Sequence, residues 1–259
     1  ELHKYPRWRP LLKGFFDTYA DQVRIIVTGS ARMEILRRSG ESLMGRYFLF
    51  RMHPFSVAEL LVQELPDAKR IVRRPARIRD VDFKALWRHG GYPEPFLTRS
   101  DSFTRRWLAH RHDQLVRGDV RDLAGIQQID QLELLAKILS DRSSCQLVLS
   151  NLATEVRASI ETVKRWIGLL VNLHLGFLVR PWYRNVARSL RKEPKWFLRD
   201  WSGIEDPGRR AETFVACHLL KAVDAWTDIG LGRFELAYLR DKEKREVDFV
   251  VIRGGKPWF

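Results

Sequence analysis

The sequence has few cysteines and no long apolar run. Its 259 residues include two cysteines, Cys145 and Cys217, and neither has another cysteine or a histidine at a zinc-ligand spacing. These absences argue against a disulfide framework and a structural metal site. The longest apolar stretches, such as residues 249–252, are too short to cross a bilayer. We therefore expect a cytoplasmic protein with no membrane partner and no metal site in this chain.

Other absences concern the start of the chain and its internal pattern. The chain begins Glu1-Leu2-His3, with neither a basic-then-apolar leader nor an initiator methionine, so we expect it to start inside a longer protein. It has no internal repeat or low-complexity tract, which argues against solenoid and disordered classes. Hydrophobic residues make up 45% and charged residues 30% of the chain, as in an ordinary globular protein.

Acidic residues are scarce relative to basic ones. The chain has 46 Lys and Arg against 32 Asp and Glu, a net charge of +14. The excess lies in residues 1–200, because residues 201–259 contain equal numbers of both signs. A basic surface suits nucleic acid or another polyanion, which makes DNA a candidate partner. An arginine-rich codon usage would give the same excess, and the composition does not separate the two explanations.

Changes of pattern predict an α/β multidomain protein. The first unit has apolar residues at helical spacing over 11–19 and apolar runs at 23–28 and 47–52 that predict two strands. A further helix is predicted over 31–38. Ser56 with Glu59 forms a capping box that opens another helix. The four predicted units are residues 1–61, 62–126, 127–200 and 201–259.

The second and third units are helical. The second is arginine-rich, and a glycine-proline segment over 90–95 must interrupt its helices. In the third, we expect a second helix capped by Ser150, a third helix capped by Ser159 and ended by Gly176, and then a short strand. This spacing is typical of a winged helix-turn-helix. The predicted buried stripe of its third helix is Ile160, Val163, Ile167, Leu170 and Leu173.

The fourth unit has the pattern of an antiparallel hairpin on a helix. A helix is predicted over 212–223, with strands over 234–238 and 247–252 on either side of a charged turn. The sequence stops in what reads as a further strand, so we expect this unit to be incomplete.

Several motifs together resemble a known family. They are the segments 1–5, 27–31, 40–47 and 53–60, the Arg121-Asp122 pair, the helix-turn-helix and residues 246–249. In this order they resemble the AAA-type ATPases of bacteria and archaea that carry a C-terminal domain of unknown function. The resemblance covers nearly the whole chain. It implies that residues 1–61 are the rear part of an ATPase core and 62–126 a lid-like helical unit.

The resemblance also implies a nucleotide site that this chain only partly contains. Glu1 corresponds to the residue that polarises the attacking water, while the Gly-rich phosphate loop is absent. ATP and Mg²⁺ are therefore expected cofactors of the intact protein, and none is expected for this fragment. Thr28 and Ser30 could contact the γ-phosphate, and Arg46 could reach it in cis or from a second copy in a homo-oligomer. The alternatives are a solvated terminal acid, a helix-capping serine and a structural arginine.

The last two candidate sites concern DNA. Lys164 and Arg165 on the exposed face of the third helix could enter the major groove, and Arg180 and Arg184 could touch phosphates. The alternative is a winged helix that serves only for packing between domains.

Residues 201–259 resemble a truncated restriction-endonuclease-like α/β domain. Glu212 and Asp248, with Glu246, correspond to its metal-binding acids, but the following Glu-x-Lys would lie beyond Phe259. The alternative is that these acids are ordinary hairpin charges, and we expect no nuclease activity.

These features give two functional hypotheses from different classes. The first is a fragment of an AAA-type ATPase with a DNA-binding-like winged helix and a regulatory or DNA-transacting role, inactive by itself. The second is a non-catalytic module that binds DNA or another protein.

Overall fold

A computed structural model describes residues 5, 7–29, 43, 45–62, 64–68, 70–119, 128–183, 192–241, 243 and 245–258. Its helices are α1 (Trp8–Tyr19), α2 (Val57–Leu61), α3 (Asp80–His89), α4 (Pro93–Thr98), α5 (Asp101–Asp113), α6 (Ile129–Asp141), α7 (Leu149–Glu155), α8 (Ile160–Asn172) and α9 (Pro207–Asp228). Its strands are β1 (Gly176–Pro181), β2 (Lys195–Leu198), β3 (Phe234–Arg240), β4 (Glu246–Arg253) and β5 (Lys256–Pro257). Helix α5 continues as a π-helical turn, Gln114–Asp119.

The described residues before α2 contain one helix, α1, and no strand. Helix α1 forms as predicted, but the strands predicted over 23–28 and 47–52 do not form in this structure. Ile26 is 86% exposed and Met52 91% exposed. A strand needs a neighbour for its backbone hydrogen bonds, and within the described residues no strand lies beside either segment. The helix predicted over 31–38 lies outside the described residues.

Local signals set the boundaries of the helices from α2 to α5. The Ser56 backbone N–H donates to Glu59 Oε2 at 3.0 Å, which confirms the capping box at α2. Gly90 has a φ of +79°, which ends α3, and Pro93 is the first residue of α4. The predicted break over 90–95 is therefore confirmed, because glycine adopts positive φ readily and proline suits a first helical turn.

Helix α8 differs in part from its predicted pattern. Ser159 caps it as predicted by accepting from the Thr162 N–H at 3.1 Å. Ile160, however, is the first residue of the helix and is 47% exposed, whereas Trp166 is fully buried. The other predicted core positions of this helix are buried.

Two boundary predictions were wrong. Helix α7 begins two residues earlier than expected, so Val148 is its cap and Ser150 lies inside it. Gly176 does not end α8 but begins β1. A Cβ atom at Gly176 would lie 2.5 Å from the Phe197 carbonyl oxygen, and this close approach between β1 and β2 accounts for the glycine.

The strands form one sheet in the order β2-β1-β3-β4-β5. The antiparallel pair β1–β2, which follows the three helices, joins the β3–β4 hairpin through a short parallel contact between β1 and β3. Phe234 and Tyr238 are buried towards α9. The predicted antiparallel hairpin on a helix is therefore confirmed, as part of a larger mixed sheet.

One apolar cluster connects the middle of the chain. It includes residues from Ala85 to Ile204, and Trp166, Trp196 and Trp201 within it are at most 1% exposed. The helices α3, α4, α6, α7 and α8, the π-helical turn and strand β2 contribute to this same cluster. The predicted units 62–126 and 127–200 therefore share a hydrophobic core.

Candidate functional site

Four charged side chains meet near the N-terminal end of helix α9. The ammonium of Lys195 contacts Glu212 Oε1 at 2.9 Å, Glu246 Oε1 at 2.5 Å and Asp248 Oδ1 at 3.1 Å. Lys195 is buried, with 5% of its surface exposed, whereas the Asp248 side chain is 60% exposed. We call these four residues the acid–lysine cluster. It is closed on the lysine side and open to solvent at Asp248.

Local structure places each acid. Asp206 caps α9 by accepting from the Arg209 N–H at 2.7 Å, and this helix start puts Glu212 in its second turn. Glu246 begins β4, and Asp248 lies two residues further along the strand. Because side chains in a strand alternate, both acids point to the same face of the sheet.

The acids hold Lys195 in its charged form. Burial disfavours an ammonium ion, but the hydrogen bonds to Glu246, Glu212 and Asp248 outweigh this effect and raise the pKa of Lys195. The Tyr238 ring lies below the ammonium, with its centroid 5.6 Å from Nζ. The Tyr238 hydroxyl donates to the Glu193 carbonyl at 2.8 Å, which fixes the position of this ring.

The cation at this site is a side chain of the protein, the Lys195 ammonium. The three carboxylates direct oxygen atoms at one point, and the Lys195 ammonium occupies that point. In the part of the chain that the structure describes, no group of three or more His, Cys, Asp or Glu side chains is arranged to hold a metal ion. The cluster therefore holds a tethered ammonium and links strand β2, helix α9 and strand β4 by charge.

Three residues singled out by the sequence meet in this cluster. The resemblance to a nuclease-like domain implies metal-binding roles for Glu212 and Asp248, with Glu246, and the structure brings the three acids together around one ammonium. Sequence reasoning missed Lys195. The signal that could have found it is a single lysine before the buried run Trp196–Leu198, because a lysine at such a position requires acidic partners.

Two of the four predicted nucleotide-site residues lie within the described ranges. Glu1 and Ser30 lie outside the described residues, and Thr28 is exposed in an irregular segment. The Arg46 side chain donates from Nε to Asp17 Oδ1 at 2.7 Å. This hydrogen bond lowers the pKa of Asp17. In this structure Arg46 thus connects the segment after residue 43 to α1.

The predicted DNA-binding residues lie on the surface. Lys164 and Arg165 are exposed on α8, and Arg180 is exposed on β1. None of these three forms an ion pair with another described residue. Arg184 lies outside the described residues. Exposed cations of this kind are accessible to a polyanion.

Comparison with protein families gives two matches. Residues 1–61 match the model of an AAA domain. Residues 80–204 match the model of a domain of unknown function, DUF8612, a range that coincides with the apolar cluster from Ala85 to Ile204. Both matches fit an AAA-type protein with a C-terminal domain of unknown function.

The chain is also similar to two mycobacterial proteins. It is 22% identical over 276 residues to the uncharacterized protein Rv2008c of Mycobacterium tuberculosis and, equally, to the uncharacterized protein Mb2031c of Mycobacterium bovis. The alignment covers all of this chain but 56% of each relative. The chain thus spans little more than half the length of the curated relatives it matches. No solved structure matches it.

Within the described ranges, none of the helices combines the length and the apolar composition needed to cross a bilayer.

Proposed function

We propose that residues 1–61 form the rear part of an ATP-hydrolysing AAA core, and that the intact protein uses ATP in a regulatory or DNA-transacting role. The match of these residues to an AAA domain carries the proposal. ATP and Mg²⁺ are the cofactors of this activity, with Glu1 polarising the attacking water and Ser30 and Arg46 contacting the phosphates.

The exposed apolar segments support this proposal. Residues 23–28 and 47–52 have the composition of buried strands, yet Ile26 and Phe48 are 86% and 88% exposed. In an ATPase core, both segments would be covered by neighbouring strands. Thr28 would then lie at the end of a strand, where its hydroxyl can approach a nucleotide phosphate.

The test uses the protein expressed from its natural reading frame, including whatever precedes Glu1 there. We expect steady-state ATP hydrolysis, and Glu1→Gln should lower its rate by about 100-fold or more, as loss of a catalytic base does. Glu235→Gln, at an exposed ion pair with Arg233, is the matched control. No hydrolysis, or equal rates for Glu1→Gln and the control, would contradict the proposal.

The proposal includes a homo-oligomer, because Arg46 could reach a phosphate bound by a second copy of the chain. Analytical ultracentrifugation of the same protein with ATP and Mg²⁺ tests it. A mass that stays monomeric under turnover conditions would leave Arg46 with a role in cis only.

A second candidate function is DNA binding without catalysis, and the exposed cations Lys164, Arg165 and Arg180 favour it. The test is a salt titration of binding to duplex DNA. Replacing Lys164 and Arg165 by alanine should reduce the slope of log affinity against log salt by roughly 0.9 per lost phosphate contact. Arg233→Ala is the control for loss of an exposed charge. A slope near zero for the unmodified chain, or the same slope for the double variant, would argue against DNA binding.

We also propose a restriction-endonuclease-like origin for the α9–β3–β4 unit, supported by the meeting of Glu212 and Asp248. Because Lys195 occupies the point where their carboxylates converge, we expect no cleavage of plasmid DNA with Mg²⁺ or Mn²⁺. Cleavage that is lost in Asp248→Asn would contradict this expectation.

A further inference from the structure

Residues 51–59, which we call the strap, are held by distant parts of the chain. The strap is irregular up to the start of α2, yet three of its backbone N–H groups have partners far away in sequence. Arg51 N donates to Asp228 Oδ2 at 2.9 Å, Phe55 N to the Gly91 carbonyl at 2.6 Å, and Val57 N to His218 Nε2 at 3.0 Å. A largely irregular segment thus has three of its backbone N–H groups hydrogen-bonded to helix α9 and to the loop after α3.

Charged side chains strengthen this contact. The Arg51 guanidinium donates to Asp224 Oδ1 and to Asp228 Oδ1, each at 2.5 Å. Both acids are 90% shielded from solvent, since each has a side-chain exposure of 10%. Lys221 donates to the Pro54 carbonyl at 2.7 Å and also pairs with Glu59. Hydrogen bonds between a guanidinium and carboxylates that are shielded from solvent are among the stronger polar interactions in proteins.

Two histidines of the contact must be neutral. A guanidinium can only donate, so Arg199 donates to His53 Nδ1 at 3.0 Å, and the proton of His53 lies on Nε2, which donates to Asp224 at 2.9 Å. His218 accepts from Val57 on Nε2 and therefore donates from Nδ1 to the Phe214 carbonyl at 2.7 Å. Both tautomers follow from the partners.

Two elements run from the strap to the acid–lysine cluster. Helix α9 carries Asp224 and Asp228 near its C-terminal end and Glu212 near its N-terminal end. Strand β2 begins with Lys195, and the chain leaves it at Arg199, which holds His53. The two partners of the Lys195–Glu212 contact therefore lie on the two elements that the strap joins.

We propose that the strap is an intramolecular docking contact that couples the AAA-matching part of the chain to the acid–lysine cluster. When the strap is docked, it holds α9 and β2 at the relative position that brings Glu212 to Lys195. When the strap undocks, the relative position of α9 and β2 is no longer fixed, and the contact between Glu212 and Lys195 weakens. The proposal takes from the proposed function only the assignment of residues 1–61 to an ATPase core.

Gly91→Ala tests the coupling by displacing the strap without changing any charge. A Cβ atom at Gly91 would lie 2.6 Å from the Phe55 carbonyl oxygen and 3.0 Å from Pro54 Cβ. Gly168→Ala is the matched control, because nothing lies within 4 Å of its added Cβ. The readout is amide hydrogen exchange of the unliganded chain, measured in peptides that cover residues 51–62, 195–199 and 207–216.

Arg51→Lys is the second variant, since Gly91→Ala also brings its Cβ within 3.0 Å of the buried Trp201 ring. Lysine keeps the charge but cannot form the fork to two acids. Arg233→Lys, at an exposed pair with Glu235, controls for the same change on the surface.

In both strap variants we expect exchange over 51–62 to become about tenfold faster or more, as for loss of a charge-assisted hydrogen bond. Exchange over 195–199 and 207–216 should rise with it, while neither control should make exchange in these peptides faster. Faster exchange confined to the strap would overturn the coupling, and unchanged exchange over 51–62 would overturn the docking. No nucleotide is present, so failure of the ATPase assignment shows in the hydrolysis assay alone.

Discussion

Two short segments of similar composition differ in structure: one is irregular and exposed, and the other is a buried strand. Residues 23–28 and 248–253 each contain four apolar residues, mainly valine and isoleucine, and two polar or charged residues. In the first, Ile26 is 86% exposed and the backbone is irregular. In the second, Val251 and Ile252 are 1% and 3% exposed within β4.

The difference lies in their neighbours. Strand β4 is hydrogen-bonded to β3 on one side and to β5 on the other, and the apolar residues of the sheet pack against α9 and Trp182. No described strand pairs with residues 23–28. Strand propensity thus becomes a strand only where a partner edge and an apolar layer are available.

The same substitution in the two segments should give the largest contrast. Ile252→Ala should lower the free energy of unfolding by about 2–5 kcal/mol, because it removes buried methyl groups and leaves a cavity. Ile26→Ala in the same chain should change it by about 0.5 kcal/mol or less. Urea unfolding of both variants measures the difference. A comparable loss for Ile26→Ala would mean that residues 23–28 are buried in solution.

The ion pairs of the two regions should also differ. Lys195→Met leaves three carboxylates without their cation in a largely buried place, so we expect a loss of about 3 kcal/mol. Arg46→Met breaks the pair with Asp17, whose side chains are 31% and 45% exposed, and should leave the unfolding midpoint unchanged. Chemical denaturation of both variants tests this. Equal effects would show that the acid–lysine cluster contributes no more than a surface pair.

Glycine substitutions compare the packing of the two regions. Gly176→Ala should lower the free energy of unfolding by about 2 kcal/mol, because its Cβ meets the backbone and Trp196. Gly14→Ala lies inside α1 with nothing within 4 Å, and alanine should stabilise this helix by about 0.5–1 kcal/mol. Thermal unfolding should therefore shift in opposite directions. A destabilising Gly14→Ala would indicate that another part of the protein covers α1.

Acid should loosen the contact between the two regions. Burial lowers the pKa of His53 and of His218 below the ordinary 6.5. The charged groups that face His53 are Asp224, Arg199 and Lys221, and those that face His218 are Lys221 and Glu59. Below pH 6.5 the unfolded histidines bind protons that the folded ones do not, so stability present above that pH is lost as the pH falls.

This effect should be the smallest of the four and concentrated in the strap. Hydrogen exchange over 51–62, corrected for intrinsic rates, should become faster between pH 7 and pH 5 relative to peptides of α8. His218→Gln should weaken this pH dependence, and His110→Gln on the exposed side of α5 should not. A pH dependence equal in all peptides would mean that the histidines do not control the strap.

Sequence reasoning could predict part of the candidate site and not the rest. Glu212 and Asp248 were recognisable from their places on a helix and a hairpin. Lys195 was not, because it lies 53 residues from Asp248 and the contact exists only when β2, α9 and β4 come together. The sequence contains a recognisable motif over 53–60, which overlaps the strap, but it did not reveal the partners of this segment on α9.

What the sequence by itself determined about this protein is local. The capping box at Ser56, the break at Gly90 and Pro93, and the hairpin of β3 and β4 depend on groups only a few residues apart. Only the tertiary structure decided which apolar runs became strands, which ammonium filled the acid–lysine cluster and where the strap docked. The physical reason is that hydrogen bonds of a strand and the counter-ions of a buried charge come from distant parts of the chain.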